Sequence, residues 1–262
     1  MSANNSEMPL VEHLIELRDR LIRMVLAILV CFVALVAFAN DIYTFVAEPL
    51  QSLMPEGTSM IATEVASPFL APFKLTLWVC VALTMPYLLI QLWGFIAPGL
   101  YDSERKLALP LVVSSILLFY AGLAFAYYVV FPLVFGFFTS ISPDGVEVMT
   151  DINAYLSFVM RLFFVFGLAF EIPVAIFLLI RMNVVDPASL SGKRPYVFLT
   201  CFVLGMLVTP PDVISQTILA LPMYLLFEVG LFLGKIAHKP DRELDDVDNE
   251  IDRQIGSDDL QP

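Results

Sequence analysis

Residues 107–138 read LALPLVVSSILLFYAGLAFAYYVVFPLVFGFF, a run without a single Asp, Glu, Lys or Arg. As a straight helix these residues reach roughly 48 Å, more than the ~30 Å of hydrocarbon in a bilayer. A segment of this kind has lipid as its solvent. In lipid every backbone N–H and C=O must be satisfied within the segment, which favours a helix. The far end of this run, near Pro132, is expected to emerge into water.

Working outward, five more apolar runs flank this one, at about 21–39, 75–97, 154–180, 196–209 and 213–234, with the central span at 107–132. The reading is an all-α, polytopic integral membrane protein with six transmembrane helices, spans five and six being short. Span five covers only about 21 Å. It is kept as a span because Pro210 and Pro211 form a tight turn that sends the chain straight back.

Basic residues fall in alternate gaps. Arg18, Arg20 and Arg23 precede span one, Arg105 and Lys106 follow span two, Arg181, Lys193 and Arg194 follow span four, and Lys235, Lys239, Arg242 and Arg253 follow span six. The loops from Asn40 to Pro72 and from Thr139 to Asn153 hold none. By the positive-inside rule both termini are cytoplasmic. The start of the chain is not Arg-rich and Ser-rich as an organellar transit peptide would be, which favours a bacterial inner membrane. Lys74 and Arg161 break the pattern, each near the outer end of its span, where a long side chain can snorkel to the interface. The organisation is a leader helix at 1–20, a membrane domain at 21–234 and an acidic, disordered cytoplasmic tail at 235–262. That tail carries much of the net charge of −12. The leader holds Glu7, Glu12, Glu16 and Asp19, which suits an uncleaved anchor better than a signal peptide.

Cys31, Cys80 and Cys201 lie inside spans without the paired spacing of a metal or redox centre. No HExxH or GxSxG motif occurs, and Gly192–Lys193 lacks the rest of a phosphate-binding loop. The expectation is therefore no enzyme, no catalytic residue, no metal, no cofactor and no nucleic-acid partner.

Four polar features remain. Leu10, Leu14, Leu17 and Leu21 form an apolar stripe, so the leader should lie along the cytoplasmic surface before turning into span one. Glu16 with Arg20, and Asp19 with Arg23, have the spacing of intrahelical pairs. In the loop after Phe95, Pro98 and Gly99 break the helix and Asp102 or Ser103 caps the next, with Glu104 in its first turn. Glu171 is a carboxylate inside span four, followed by Pro173, which can kink the helix. Asp212 is placed to cap span six, with Met206, Thr209 and Gln216 nearby. For each, a structural and a functional reading are both open.

The residues His13–Arg18 (HLIELR), Ile61–Pro68 (IATEVASP), the loop Phe95–Arg105 and Leu207–Asp212 (LVTPPD) resemble the TatC family of the twin-arginine protein translocase. The similarity covers about residues 8 to 234. It implies a membrane receptor that binds the paired arginines of signal peptides at the cytoplasmic face. It also implies assembly with TatA and TatB single-span subunits, and with further copies of itself, to export folded proteins using the proton-motive force.

Carried over by position, Glu16 and Glu104 would receive the arginines, with Phe95 and Arg18 close by. Glu171 would line an intramembrane polar site, Met206, Thr209 and Gln216 would dock a partner helix, and Pro49 and Asp212 would serve periplasmic assembly or transport. Two carboxylates suit two guanidiniums, whose bidentate bonds a lysine cannot reproduce. The alternative is a proton- or cation-coupled secondary transporter with Glu171 as relay.

Overall fold

The computed structural model describes residues 7–53, 60–96, 108–140, 150–209 and 212–237, and everything described is helical apart from short connections. In chain order the helices are α1 (Glu7–Leu35), α2 (Ala39–Leu53), α3 (Ser67–Ile96), α4 (Ala108–Phe125), α5 (Phe131–Ser140), α6 (Ile152–Ala169), α7 (Ile172–Arg181), α8 (Pro187–Gly192), α9 (Arg194–Val208) and α10 (Val213–Ala237). A 3₁₀ turn, Val36–Phe38, joins α1 to α2, and a π turn, Ala126–Val130, joins α4 to α5. Among the described residues five stretches are long and apolar enough to cross a membrane: Val11–Glu48, Ser67–Phe95, Leu109–Phe138, Ile152–Arg181 and Val213–Ile236. Arg194–Val208 is a shorter apolar helix.

Leader and first span form one helix of 29 residues, with no turn near Leu21. Nothing between Asp19 and Ile22 breaks a helix, and the expected turn is corrected accordingly. Of the stripe, Leu14 is 63% and Leu21 47% exposed, while Leu17 is half-buried. Beyond the 3₁₀ turn, α2 occupies the first part of what reads as a loop after Asn40. It buries Val46 and Ala47, and the Tyr155 hydroxyl of α6 donates to the Val46 carbonyl at 3.1 Å.

Helix α3 starts at Ser67, a full two turns before the expected Leu75, and carries Pro72 and Pro86 inside it. Pro68 falls in its first turn, where the missing N–H costs nothing. Pro132 does not end the helical run. The π turn directly precedes it, and the widened turn accommodates a ring that would otherwise clash with the carbonyl four residues back. Helix α5 then runs on to Ser140. At Phe170–Glu171 the fourth run does break, with Pro173 in the first turn of α7. Helix α10 has 25 residues, about 37 Å, and so is not short.

The largest buried cluster centres on aromatic contacts of Phe131, Phe135 and Tyr155, and of Phe125 with Phe166. Among the described residues, two glycines set the closest approaches of one helix to another helix's backbone. A Cβ at Gly122 would meet the Phe166 carbonyl oxygen at 2.6 Å, and one at Gly230 would meet Pro173 Cα at 2.8 Å. Neither backbone can yield, so α4 on α6 and α10 on α7 pack at this distance only with glycine.

Candidate functional site

The first functional cluster forms where α1 crosses the C-terminal end of α3. His13, Glu16 and Arg20 recur at helical spacing and so share one face of α1. His13 stacks on Phe95 with ring centroids 4.2 Å apart. Arg20 donates from Nε and Nη2 to Glu16 Oε1 at 2.9 and 2.7 Å. The same guanidinium reaches α3, where Nη1 donates to the Gln91 carbonyl at 3.2 Å and to its Oε1 at 3.3 Å, and Nη2 to the Gly94 carbonyl at 2.9 Å. The Gly94 carbonyl is one of the orphan carbonyls of the helix end, which carry partial negative charge and attract a cation, and Gln91 adds two further acceptors one turn earlier. Arg20 therefore fixes Glu16 beside the end of α3. Both bonds fall on Oε1, and among the described residues Oε2 accepts none.

Arg18 turns to Asp19, at 2.9 and 2.7 Å, so Asp19 pairs with its neighbour and not with Arg23. Glu104 and the rest of the loop at 97–107 lie outside the described residues. The chain enters that loop immediately after Phe95 and Ile96. Phe95 and Glu16 are thus brought together, and Arg18 points to a different partner.

At the opposite end of α3 the IATEVASP segment docks on the start of α6. Ile61 pairs with Asp151 as an isolated parallel bridge, with Ile61 N donating to Thr150 O at 3.0 Å and Ile152 N to Ile61 O at 2.9 Å. Asp151 Oδ1 accepts from the amides of Asn153 and Ala154 at 2.9 Å each, capping α6. Its Oδ2 accepts from the Thr63 amide at 3.0 Å and the Thr63 hydroxyl at 2.7 Å. Those bonds, the Thr63 hydroxyl foremost, hold the carboxyl at about 2, well below the usual range.

Glu171 is the residue preceding α7, and its Oε1 is buried without a hydrogen-bond partner. Ser115 of α4 lies beside it. Ser115 Oγ in turn accepts from Trp93 Nε1 of α3 at 3.3 Å. A polar line thus runs inside the helix bundle from Glu171 to the residue before Gly94, next to the Arg20 contact.

On α9 and α10, Met206 is 51% exposed and Gln216 half-buried, whereas Thr209 is buried and donates its hydroxyl to the Gly205 carbonyl at 3.0 Å. Asp212 caps α10, its Oδ1 accepting from Ser215 N at 2.6 Å, while Oδ2 is buried without a partner. Pro210 and Pro211 lie outside the described residues, and Pro49 lies within α2. At the other end of this pair, Arg194 makes a bidentate pair with Glu228, at 2.7 and 2.8 Å, and the Tyr224 hydroxyl donates to the same carboxylate at 2.8 Å. Glu228 is thereby tied to the base of α9.

Asp151, Thr63 and Trp93 had escaped notice as site residues in the sequence. Asp151 before Ile152 has the pattern of an N-cap and could have been found that way. Its bond to Thr63 spans 88 positions and has no local signal.

The model of the family "Sec-independent protein translocase protein (TatC)" matches residues 12–222. A TatC protein of Azotobacter chroococcum mcd 1 is 62% identical over 237 residues, covering 90% of this chain and 93% of that protein. One from Escherichia coli strain K12 is 57% identical over 235 residues, covering 90% and 91%. A solved structure, described as the crystal structure of the twin arginine translocase receptor TatC, superposes with a TM-score of 0.78 at 35% identity, covering 86% of this chain and 99% of that one. With a matching family model over most of its length, relatives above half identity and the same helical fold, this multi-pass membrane chain belongs to the TatC family of Sec-independent protein translocase proteins.

Proposed function

We propose that this protein is the signal-peptide receptor of its translocase, and that Glu16 and Glu104 accept the paired arginines. The observation that carries the reading is the Glu16 carboxylate, fixed by Arg20 against the end of α3 with Oε2 unbonded among the described residues. A held carboxylate with an unused oxygen is pre-organised for a charge-assisted bond, worth about 1.5–3 kcal/mol. Phe95, stacked on His13 beside it, offers an aromatic face on which a guanidinium can lie. Arg18 flanks the site.

In this reading both termini are cytoplasmic. Arg194–Val208 is the fifth of six spans, crossing where the bilayer thins, and residues 235–262 are a solvated cytoplasmic tail. The membrane is the bacterial inner membrane. Glu171 lines an intramembrane polar site for the signal peptide or a partner helix, and its unpartnered oxygen supports that role. Met206, Thr209 and Gln216 dock a single-span TatA or TatB subunit, with the exposed Met206 as the first point of contact. Pro49 and Asp212 serve assembly on the periplasmic side. The protein works in copies with those partners and draws on the proton-motive force.

The test is binding of a signal peptide to the purified protein, comparing paired arginines with paired lysines for wild type, Glu16→Ala and Glu104→Ala. Wild type should prefer arginine by about tenfold or more, from at least one bidentate pairing. Each variant should lose that preference while remaining folded. An arginine preference undiminished in both folded variants sinks the assignment.

A further inference from the structure

We infer that the groove between α6 and α9 binds the phosphate of a phospholipid, with Arg161 as its anchor and Lys74 at its mouth. Arg161 sits inside the stretch Ile152–Arg181 that is long and apolar enough to span a membrane, and it is exposed. Among the described residues it forms no ion pair or hydrogen bond. A charge at that depth is costly and needs an anion or water within reach. Asp151 lines the same groove, but its two oxygens already accept from four donors, the Thr63, Asn153 and Ala154 amides and the Thr63 hydroxyl. The protein thus leaves Arg161 facing an opening instead of neutralising it.

The opening is shaped for a headgroup. Its volume, about 580 Å³, lies within the ~300–1,000 Å³ of small-molecule sites. Asn153, Ser157 and Arg161 line it at four-residue intervals, a polar ladder down one face of α6. At the top of that ladder Lys74 Nζ of α3 lies 3.4 Å from Asn153 Oδ1, so the two cations that break the charge pattern of the chain converge on one groove.

Depth selects a lipid over a soluble anion. Arg161 lies nine residues past Ile152, about 13 Å along the helix, and its side chain leans back toward the helix start. That brings the guanidinium to the boundary between hydrocarbon and headgroups, where lipid phosphates lie. On the opposite wall, α9, Leu207 is 65% exposed and offers an apolar surface for an acyl chain. The site is independent of signal recognition.

The test is native mass spectrometry of the full chain in neutral detergent with added phosphatidylglycerol. Wild type should retain one lipid more than Arg161→Ala, an affinity difference of about tenfold for the loss of one charge-assisted contact. Lys74→Ala and Ser157→Ala should weaken retention less, and Arg161→Lys should restore part of it. Excess inorganic phosphate should not displace the lipid. Equal retention by wild type and Arg161→Ala, each monodisperse, overturns the proposal, as does displacement by inorganic phosphate. Should Arg161→Ala instead lower capture of a single-span partner with lipid retention unchanged, the anion belongs to that partner and the lipid site is refuted.

Discussion

The two ends of α3 are held by opposite devices. At its C-terminal end a cation, Arg20, gathers helix carbonyls and one oxygen of Glu16. At its N-terminal end an anion, Asp151, gathers the first amides of α6 and both donors of Thr63. Each suits the sign of the helix terminus it meets. They differ in what is left over. Asp151 is saturated by four donors, while Glu16 keeps Oε2 among the described residues. A clamp with all its valences used holds the fold, whereas one with an oxygen in reserve can also receive a ligand.

The comparison breaks first at Arg20. Arg20→Ala removes a half-buried guanidinium from the Glu16 and α3 contacts together and strands the Glu16 charge. It should cost about 2–3 kcal/mol of stability, read by thermal unfolding in detergent, and should also weaken arginine-peptide binding. If binding survives intact, Arg20 does not orient Glu16. Gly94→Ala is the milder version. Its Cβ would lie 2.5 Å from Arg20 Nη1, a flexible group that can shift, so a loss of about 1 kcal/mol is expected.

Asp151→Ala should act at the other end alone. Amide hydrogen exchange at Ile61 and Thr63 should rise while arginine-peptide binding stays unchanged. Loss of peptide binding there would erase the contrast between a saturated clamp and a receptive one.

Acid sharpens the same point. The Asp151 carboxyl is depressed when folded, so its contribution is complete above the ordinary value of 3.8 and is lost as pH falls through about 2. A carboxyl carbon NMR titration of Asp151 with its midpoint near 4 would contradict the four-donor geometry.

The smallest effect belongs to Arg18→Ala. Its pair with Asp19 is exposed, 65% and 44% for the two side chains, and such pairs contribute about 0–1 kcal/mol. Stability should hardly move. A change in peptide binding without a change in stability would place Arg18 at the site, as the family resemblance implies.

The relatives also decide between the two classes of function left open by Glu171. Those named here are translocase proteins, and the coupled-transporter reading finds no support among them. The carboxylate itself does stand where the fourth run breaks, as Pro173 foretold.

Hydropathy, helix breakers and caps are properties of neighbours in the chain, and the sequence by itself determined what depends on them. The apolar runs became helices because lipid leaves the backbone no other partner. Glu16–Arg20 and the Asp212 cap formed at the spacing read for them. Only the tertiary structure decided the rest. Leader and first span fuse into one helix, α2 forms beyond Asn40, and the chain passes Pro132 on a π turn. Thr63 meets Asp151, Arg20 meets Gly94, and Lys74 meets the face of Arg161 across long separations in the chain. The physical reason is the same in each case. A helix terminus or an unpaired charge fixes what kind of partner it needs, but packing alone determines which distant residue arrives to supply it.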